Sequence, residues 1–290
     1  MFRSTIMAGF DCARLEWQND LCLLTATDHV PERRMREHYE LMKAHGVHTV
    51  RDGLPWWHPI EPRLQVAKDA GMEVIWDLDH YWRHPAPTDY AKRVAMAVQR
   101  VCPGQTFWVC FNENRLAGLL TPGQDQAEVV AKAKEIMRVL RANIYDVRLV
   151  TAEPAHIPDE IEAHAGLADQ ADVLGINIYP YHADWSIGEA LRAMAARYPD
   201  RPLMITETGL HPGLDRKWEG IDCKAEWLRH VRGEVRGAQH WNRINVVGIC
   251  LYPIVNTPSW NDPRERWDHG LIREDGSVDE ALSAAMMEAA

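Results

Sequence analysis

The sequence alternates eight times between a short apolar run and a longer amphipathic stretch, a pattern that few folds accommodate. Strands that alternate with helices predict right-handed βαβ units and a parallel sheet, and eight units predict a closed (β/α)8 barrel of the α/β class. The predicted strands are residues 4–10, 47–54, 73–79, 106–111, 147–152, 173–179, 202–206 and 246–252. An open doubly wound sheet is disfavoured, because no glycine-rich phosphate loop follows the first strand.

The stretches between the strands have the apolar spacing of helices. In the fourth, apolar side chains recur at the i, i+4 and i+7 positions that form one helical face. These side chains are Val129, Ala133, Ile136, Met137 and Leu140. The predicted helices are residues 31–45, 60–70, 87–101, 124–142, 157–170, 186–197, 222–239 and 277–289. Because 290 residues suffice for one such barrel, we expect a single domain over residues 1–290.

The composition argues against several classes of partner. The net charge is −10 and no block of lysine and arginine is present, so nucleic acid is not an expected partner. No apolar run reaches about 18 residues and no signal segment begins the chain, so we expect a cytoplasmic protein that does not enter a membrane. Of the six cysteines, Cys110 and Cys250 lie in apolar runs and are expected to be buried thiols.

Polar side chains end nearly every predicted strand. Because the C-terminal ends of barrel strands meet at one face, we expect these side chains to form one site. They are Arg51, His80, Asn112, Glu113, Glu153, Asn177, Tyr179, His182, Glu207, Tyr252 and Asn256. The longest connections without a helix are residues 10–30 and 253–276, which are expected to form much of the mouth of the site.

Two of these residues, Glu113 and Glu207, are carboxylates that end the fourth and seventh strands. A pair of carboxyl groups is the minimum needed to cleave a glycosidic bond. One protonates the departing oxygen, while the other attacks the anomeric carbon or activates water. The twelve tryptophans offer flat faces for sugar rings, although roughly half are expected to be structural. The sequence therefore predicts a glycosidase with a carbohydrate substrate and without a cofactor or a metal ion.

Motifs at six of the strands, taken in order, resemble those of glycoside hydrolase family 1, whose members are (β/α)8 retaining glycosidases. Residues 205–209, Ile-Thr-Glu-Thr-Gly, stand where the family has Thr-Glu-Asn-Gly. Residues 112–114, Asn-Glu-Asn, are similar to its Asn-Glu-Pro. The other matching segments are residues 51–56, 60–62, 79–82, 172–179, 260 and 270–271. The chain is shorter than most family members, which implies shorter loops and a more open site.

The resemblance implies a role for each strand-end residue. It makes Glu113 the general acid/base and Glu207 the nucleophile, about 5–5.5 Å apart as in retaining enzymes. Arg51 is then expected to lower the pKa of Glu207, and Tyr179 to donate a hydrogen bond to its carboxylate. The implied sugar contacts and supporting residues are Asn112, His80, Asn177, Glu153, Tyr252 and Trp260, with Trp82 or Trp56 as further stacking surfaces.

The chain departs from the family pattern at three of these positions. Asn114 replaces the usual proline after the acid/base, and Thr208 replaces the usual asparagine after the nucleophile. Tyr252 stands where the family usually has a tryptophan. None of these changes removes a reacting group.

Five alternatives remain open. Glu153, which precedes Pro154, would be the acid/base if it exchanged roles with Glu113. An open cleft would suit an endo-acting β-glycanase, and Ser259 with Arg266 would suit a 6-phosphorylated sugar. A non-catalytic sugar-binding barrel would need only the tryptophans. A metal-dependent sugar isomerase or epimerase would take its ligands from His80, Glu113, Glu153, His182, Glu207 and His211.

Overall fold

The computed structural model describes residues 2–15, 18–82, 85–116, 125–212 and 220–288. Within them, eight parallel strands close into a barrel in which each strand pairs with the next along the chain. They are β1 (Ile6–Gly9), β2 (Thr49–Gly53), β3 (Glu73–Asp77), β4 (Phe107–Asn112), β5 (Arg148–Pro154), β6 (Leu174–Asn177), β7 (Leu203–Thr208) and β8 (Val246–Leu251). The barrel closes because β1 pairs with both β2 and β8. The predicted (β/α)8 fold is confirmed.

Helices follow the strands, as the amphipathic stretches predict. They are α1 (Glu32–Ala44), α2 (Ile60–Ala70), α3 (Pro87–Val101), α4 (Gln126–Asn143), α5 (Ile187–Arg197), α6 (Lys224–Asn242) and α7 (Glu280–Met287). In α4, all five apolar side chains of the predicted face are buried. Among the described residues, no helix is both long and apolar enough to cross a membrane.

The helix predicted at residues 157–170 is the exception, because the chain there forms a 3-10 helix over Pro158–Gly166. Its buried side chains and the one that follows it include Ile161, His164 and Leu167, which are three residues apart. A 3-10 helix has three residues per turn, so this spacing places them on one face, whereas an α-helix would spread them. The prediction of a buried apolar face is correct, but the period of that face is three residues.

The inside of the barrel is filled with side chains. Its apolar layer includes Met7, Ile75, Val109, Val150, Met204 and Cys250. A packed interior leaves the ends of the strands as the place for a site. Cys110 and Cys250 are buried free thiols, as predicted.

Four tryptophans have a purely structural environment, since less than 2% of their surface is exposed. They are Trp76, Trp82, Trp108 and Trp227. Trp17 and Trp218 lie outside the described residues.

The connections after β1 and β8 each contain a two-stranded antiparallel ribbon. After β1, Arg14–Leu15 pairs with Leu21–Cys22. After β8, Thr257–Pro258 pairs with Arg266–Trp267. Gln18 joins the two connections, because its side-chain amide donates to the carbonyl oxygen of Trp260 at 3.0 Å. These two connections lie together over one side of the barrel mouth, as the sequence predicts.

The close packing of β6 against its neighbours gives a stability prediction. A Cβ at Gly175 would overlap the carbonyl oxygen of Thr151 and the methyl group of Thr206. We therefore expect Gly175→Ala to lower the free energy of unfolding by about 1–3 kcal/mol, as overpacked cores do. The matched control is Gly233→Ala in α6, where a Cβ would meet nothing within 4 Å.

In the control, alanine should raise the free energy of unfolding by about 0.5–1 kcal/mol, because it favours the helix more than glycine does. Urea denaturation followed by tryptophan fluorescence measures both changes. Equal effects of the two substitutions would contradict the tight packing at Gly175.

Candidate active site

A fully buried guanidinium, that of Arg51 in the middle of β2, lies at the centre of the site. Its Nη1 donates to Oε1 of Glu207 at 2.7 Å, and its Nε donates to Oδ1 of Asp77 at 3.1 Å. Its Nη2 lies 2.9 Å from the other Asp77 oxygen and donates to Oδ1 of Asn112 at 2.8 Å. A single cation therefore joins the ends of β3, β4 and β7.

Glu207, near the end of β7, has a partner for each carboxylate oxygen. Arg51 contacts Oε1, and the hydroxyl of Tyr179 donates to Oε2 at 2.8 Å. Burial raises the pKa of Glu207 to about 7; Arg51 opposes this increase, and the negative charge of Glu113 adds to it. The expected lowering of the Glu207 pKa by Arg51 is thus present but is outweighed by the effect of burial.

Glu113 follows β4 directly and adopts a left-handed backbone conformation with φ of +50°. Residues other than glycine seldom adopt this conformation, which marks a turn that its surroundings must hold. The side chain of Asn177 donates to Oε1 of Glu113 at 2.9 Å, and the hydroxyl of Tyr81 donates to Oε2. Both partners of Glu113 are neutral, in contrast to the Arg51 contact of Glu207.

The two carboxyl groups are connected by a chain of amides. Asn177 donates to Oδ1 of Asn112 at 3.1 Å as well as to Glu113, and Asn112 accepts from Arg51, which contacts Glu207. Asn112 is fully buried, and its oxygen receives both of these bonds. The structure therefore places Asn112 behind the carboxyl groups, and its amide nitrogen contacts Nε2 of His80 at 2.9 Å.

His80 is buried beneath Tyr252 instead of facing the opening. Its Nε2 lies 2.9 Å from Nδ2 of Asn112, and its Nδ1 lies 3.4 Å from the Tyr252 hydroxyl. Trp82 is buried too, and its indole nitrogen donates to the carbonyl oxygen of Cys12 at 2.7 Å. His80 and Trp82 therefore contact other protein groups beneath the site and do not face its opening.

One trio of possible metal ligands occurs among the described residues, namely Cys12, Asp77 and His80, whose ligand atoms lie within 4.8 Å of one another. The guanidinium of Arg51 contacts both oxygens of Asp77. A second cation at the same carboxylate would be repelled by this charge. The metal-dependent isomerase alternative therefore gains no support from these residues.

A cavity of about 240 Å³ opens above the two carboxyl groups, and both Glu113 and Glu207 line it. Aromatic rings form much of its wall, including Tyr179, Tyr252, Trp260 and Trp267. The ring of Tyr81 meets Trp260 edge-on, with 6.0 Å between the ring centroids. Of the predicted site residues besides the two glutamates, Tyr179, His182, Tyr252 and Trp260 line the cavity.

The other predicted site residues lie behind this wall. Arg51, His80, Asn112, Asn177 and Glu153 are all buried, and none of them is among the residues that line the cavity.

Sequence reasoning missed several residues of the site, including Asp11 and Tyr81. Asp11 follows β1 and lines the cavity, where its Oδ1 accepts from the Tyr252 hydroxyl at 3.2 Å. It ends a strand, so the rule applied to the other strands would have identified it. Tyr81 contacts Glu113, and the only indication of this in the sequence was its position between His80 and Trp82.

Arg266, the residue proposed to bind the phosphate of a 6-phosphorylated sugar, is paired with a carboxylate. Arg266 forms an ion pair with Glu274 at 2.7 Å, and the side chains of both are about half exposed. Ser259 accepts bonds from the backbone of the turn that follows it, including Asn261. Asp268 pairs with Lys224 at 2.8 Å.

Comparisons with known proteins identify the fold and leave the sequence family open. No protein family model matches the sequence, and no curated protein matches it. The structure is similar to a β-glucosidase from Thermotoga maritima in complex with glucoimidazole, with a TM-score of 0.66 and 12% identity, over 90% of this chain and 86% of that chain. A complex of the same organism's β-glucosidase with cyclophellitol has a TM-score of 0.67 at 11% identity, over the same shares of the two chains.

A second group of similar structures consists of β-glucuronidases. Bacteroides uniformis β-glucuronidase 2, covalently bound to cyclophellitol-6-carboxylate aziridine, has a TM-score of 0.68 and 15% identity. The match covers 98% of this chain and 35% of that chain. At these identities the likeness concerns the fold, so the resemblance to family 1 glycosidases is confirmed at the level of the barrel that β-glycosidases share.

Proposed function

We propose that the chain is a retaining, exo-acting β-glycosidase, a distant and shortened relative of glycoside hydrolase family 1. The supporting observation is the asymmetry of the two carboxyl groups that line one cavity. Glu207 contacts a permanent cation, Arg51, whereas the donors to Glu113 among the described residues, those of Asn177 and Tyr81, are neutral. Two carboxyl groups in different environments suit the two different roles of this reaction.

In the proposed first step, a carboxylate oxygen of Glu207 attacks the anomeric carbon while the bond to the leaving-group oxygen breaks. Glu113 gives its proton to that oxygen. In the second step, Glu113 takes a proton from water, which attacks the anomeric carbon and releases Glu207. This mechanism requires the carboxyl groups to be about 5–5.5 Å apart.

The size of the cavity favours exo action over an endo-acting glycanase. Its volume of about 240 Å³ is smaller than the roughly 300–1,000 Å³ of pockets that hold drug-sized ligands. A single sugar ring fits such a space better than a segment of polysaccharide. Trp260 supplies a flat apolar surface for that ring.

Charge favours a neutral sugar over a uronic acid. Among the described residues that line the cavity, there is no arginine or lysine to pair with a sugar carboxylate. Asp11 and Glu207 face the cavity, and their carboxylates, when ionised, would repel one. We therefore propose a neutral glycoside, such as a β-glucoside, as the substrate class.

Covalent labelling tests the nucleophile and the sugar together. We expect cyclophellitol to label Glu207 when its epoxide opens. The 6-carboxylate aziridine analogue should label Glu207 at least about 10-fold more slowly, because its carboxylate has no cation to pair with among the described residues of the cavity. The loss of one ion pair is worth about 1.4 kcal/mol or more, which is a factor of about 10. Peptide mass spectrometry identifies the modified residue. Glu207→Gln should abolish labelling, whereas Glu128→Gln, an exposed glutamate of α4, should not.

Labelling at another residue would remove Glu207 from the role of nucleophile. Faster labelling by the carboxylate analogue would favour a glucuronide as the substrate.

Turnover of 4-nitrophenyl β-glycosides tests the division of roles. Glu207→Ala should lower kcat more than about 1,000-fold, because the covalent step is lost. Azide should then restore product formation with inverted configuration, whereas in Glu113→Ala it should yield a glycosyl azide of retained configuration. Proton NMR of the products distinguishes the two. If Glu153→Ala instead gave the retained azide product, Glu153 would be the acid/base.

The same panel tests the classes of function outside the glycosidases. A wild type that turns over none of the glycosides would contradict the glycosidase proposal. Turnover that survives a chelator would count against the metal-dependent alternative.

The pH profile tests the ionisation of Glu207. Burial raises its pKa to about 7, and the attacking form is ionised, so kcat/KM should fall as the pH decreases through about 7. Tyr179→Phe removes a hydrogen bond to the ionised form. This limb should therefore move up by about one pH unit, since such a bond is worth roughly 1.5–3 kcal/mol.

The matched control is Tyr198→Phe, a hydroxyl deletion beside His164 and away from the cavity, which should leave the limb unchanged. A limb near pH 4.5 in the wild type, or one that Tyr179→Phe leaves in place, would contradict this account of Glu207.

A further inference from the structure

Glu153, on β5, is a carboxyl group that the proposed reaction does not use. None of its surface is exposed, and it does not line the cavity. Its Oε1 accepts from the backbone nitrogen of Asn114 at 3.2 Å and from the side-chain amide of the same residue. Its Oε2 has no hydrogen-bond partner among the described residues. Both donors therefore come from the residue that follows Glu113.

The surroundings of Glu153 favour its neutral form. Burial raises the pKa of Glu153 to about 8; the bonds from Asn114 oppose this increase, and the negative charge of Glu113 adds to it. No ion pair to Glu153 is found within the described residues. An ionised carboxylate without a cation would be costly at such a buried site, so the protonated acid is the stable form near pH 7.

The turn after β4 is attached to β5 at two successive residues. The backbone nitrogen of Glu113 donates to the carbonyl oxygen of Ala152 at 2.7 Å, and that of Asn114 donates to Glu153. This turn contains the left-handed conformation of Glu113, which its own sequence does not favour. A proline at position 114 would offer neither a backbone N–H nor a side-chain amide. The asparagine therefore makes possible a contact with Glu153 that a proline could not form.

We propose that Glu153 is a positioning residue: it holds the Glu113–Asn114 turn and thereby directs the Glu113 carboxyl group towards the leaving-group oxygen. This inference rests on the proposed role of Glu113 as the acid/base. Glu153 touches neither the substrate nor the reacting atoms. Its effect should therefore appear only in the step that needs an accurately placed proton donor.

The dependence on the leaving group tests this role. A leucine side chain cannot accept a hydrogen bond from Asn114, so Glu153→Leu should lower kcat/KM about 10–100-fold for an alkyl glycoside, a leaving group that needs protonation. For the corresponding 2,4-dinitrophenyl glycoside, which departs without a proton, the loss should stay under about 3-fold. Glu153→Gln keeps an oxygen that accepts both bonds, so it should stay within about 3-fold of the wild type on both substrates.

The outcomes separate this inference from the function on which it rests. Equal losses on both substrates, or no loss on either, would overturn the positioning role. A wild type that hydrolyses neither substrate would instead contradict the proposed function. Melting temperatures of the Glu153→Leu protein show whether it is folded. If it is not, a loss of more than about 3-fold in Glu153→Gln, or the failure of the stability measurement below, overturns the proposal.

A second measurement needs no substrate. A carboxyl group whose pKa is raised on folding contributes stability that is complete below its unfolded pKa and is lost as the pH rises through the folded value. Wild-type stability should therefore decline relative to that of Glu153→Gln between about pH 4.5 and pH 8. The difference in melting temperature should grow over this range in favour of the glutamine variant.

The control for this measurement is Glu135→Gln, whose glutamate pairs with Arg138 on the surface of α4. The pKa of Glu135 is lowered by that contact, so its stabilising effect is lost only as the pH falls below about 4.5, and the difference in melting temperature for Glu135→Gln should stay constant between about pH 4.5 and pH 8. A difference in melting temperature between Glu153→Gln and the wild type that stays constant with pH would show that folding does not raise the pKa of Glu153. That result would overturn the assignment of Glu153 as a protonated carboxyl group that holds the Glu113–Asn114 turn.

Discussion

The site depends on one buried cation whose charge several strands share. Arg51 cannot lose its proton under ordinary conditions, and it is fully buried, so it requires carboxylate partners. Asp77 and Glu207 supply them from two other strands, and Asn112 supplies a further acceptor. Without Arg51, two carboxylates would remain buried and uncompensated. The same cation therefore stabilises the end of the barrel and fixes the carboxylate proposed to attack the sugar.

The two glutamates of the site are held in place by different kinds of contact. Glu207 is held by charge, through Arg51, and by the Tyr179 hydroxyl. Glu113 is held by its backbone, in a left-handed turn tied to β5, and by neutral donors. The cation favours the ionised form of Glu207 and so opposes the effect of burial, whereas the two donors to Glu113 carry no charge. The distinct roles proposed for the two residues follow from this difference.

Much of this arrangement is predictable from the sequence because it depends on position along strands. A residue that ends a parallel barrel strand must lie at the common face, and Glu113, Glu207 and Tyr179 do lie there. The sequence could not predict which of these side chains are buried inside the barrel and which face the cavity. His80 and Asn112 end strands too, but their side chains point into a packed layer and face other side chains. The ordering of such layers depends on side-chain volumes around the whole barrel, which no single strand encodes.

Closure of the barrel has a consequence for the order in which the site can form. β1 pairs with β8, so no strand edge of the barrel is left for another chain to join. Arg51 is 26 residues from Asp77 but 156 residues from Glu207. During folding the cation can meet its first partner early, while its second arrives only when the later strands dock. Assembly of the carboxylate pair therefore requires a contact between residues 156 positions apart, and a barrel without β7 would leave Arg51 with one of its two carboxylate partners.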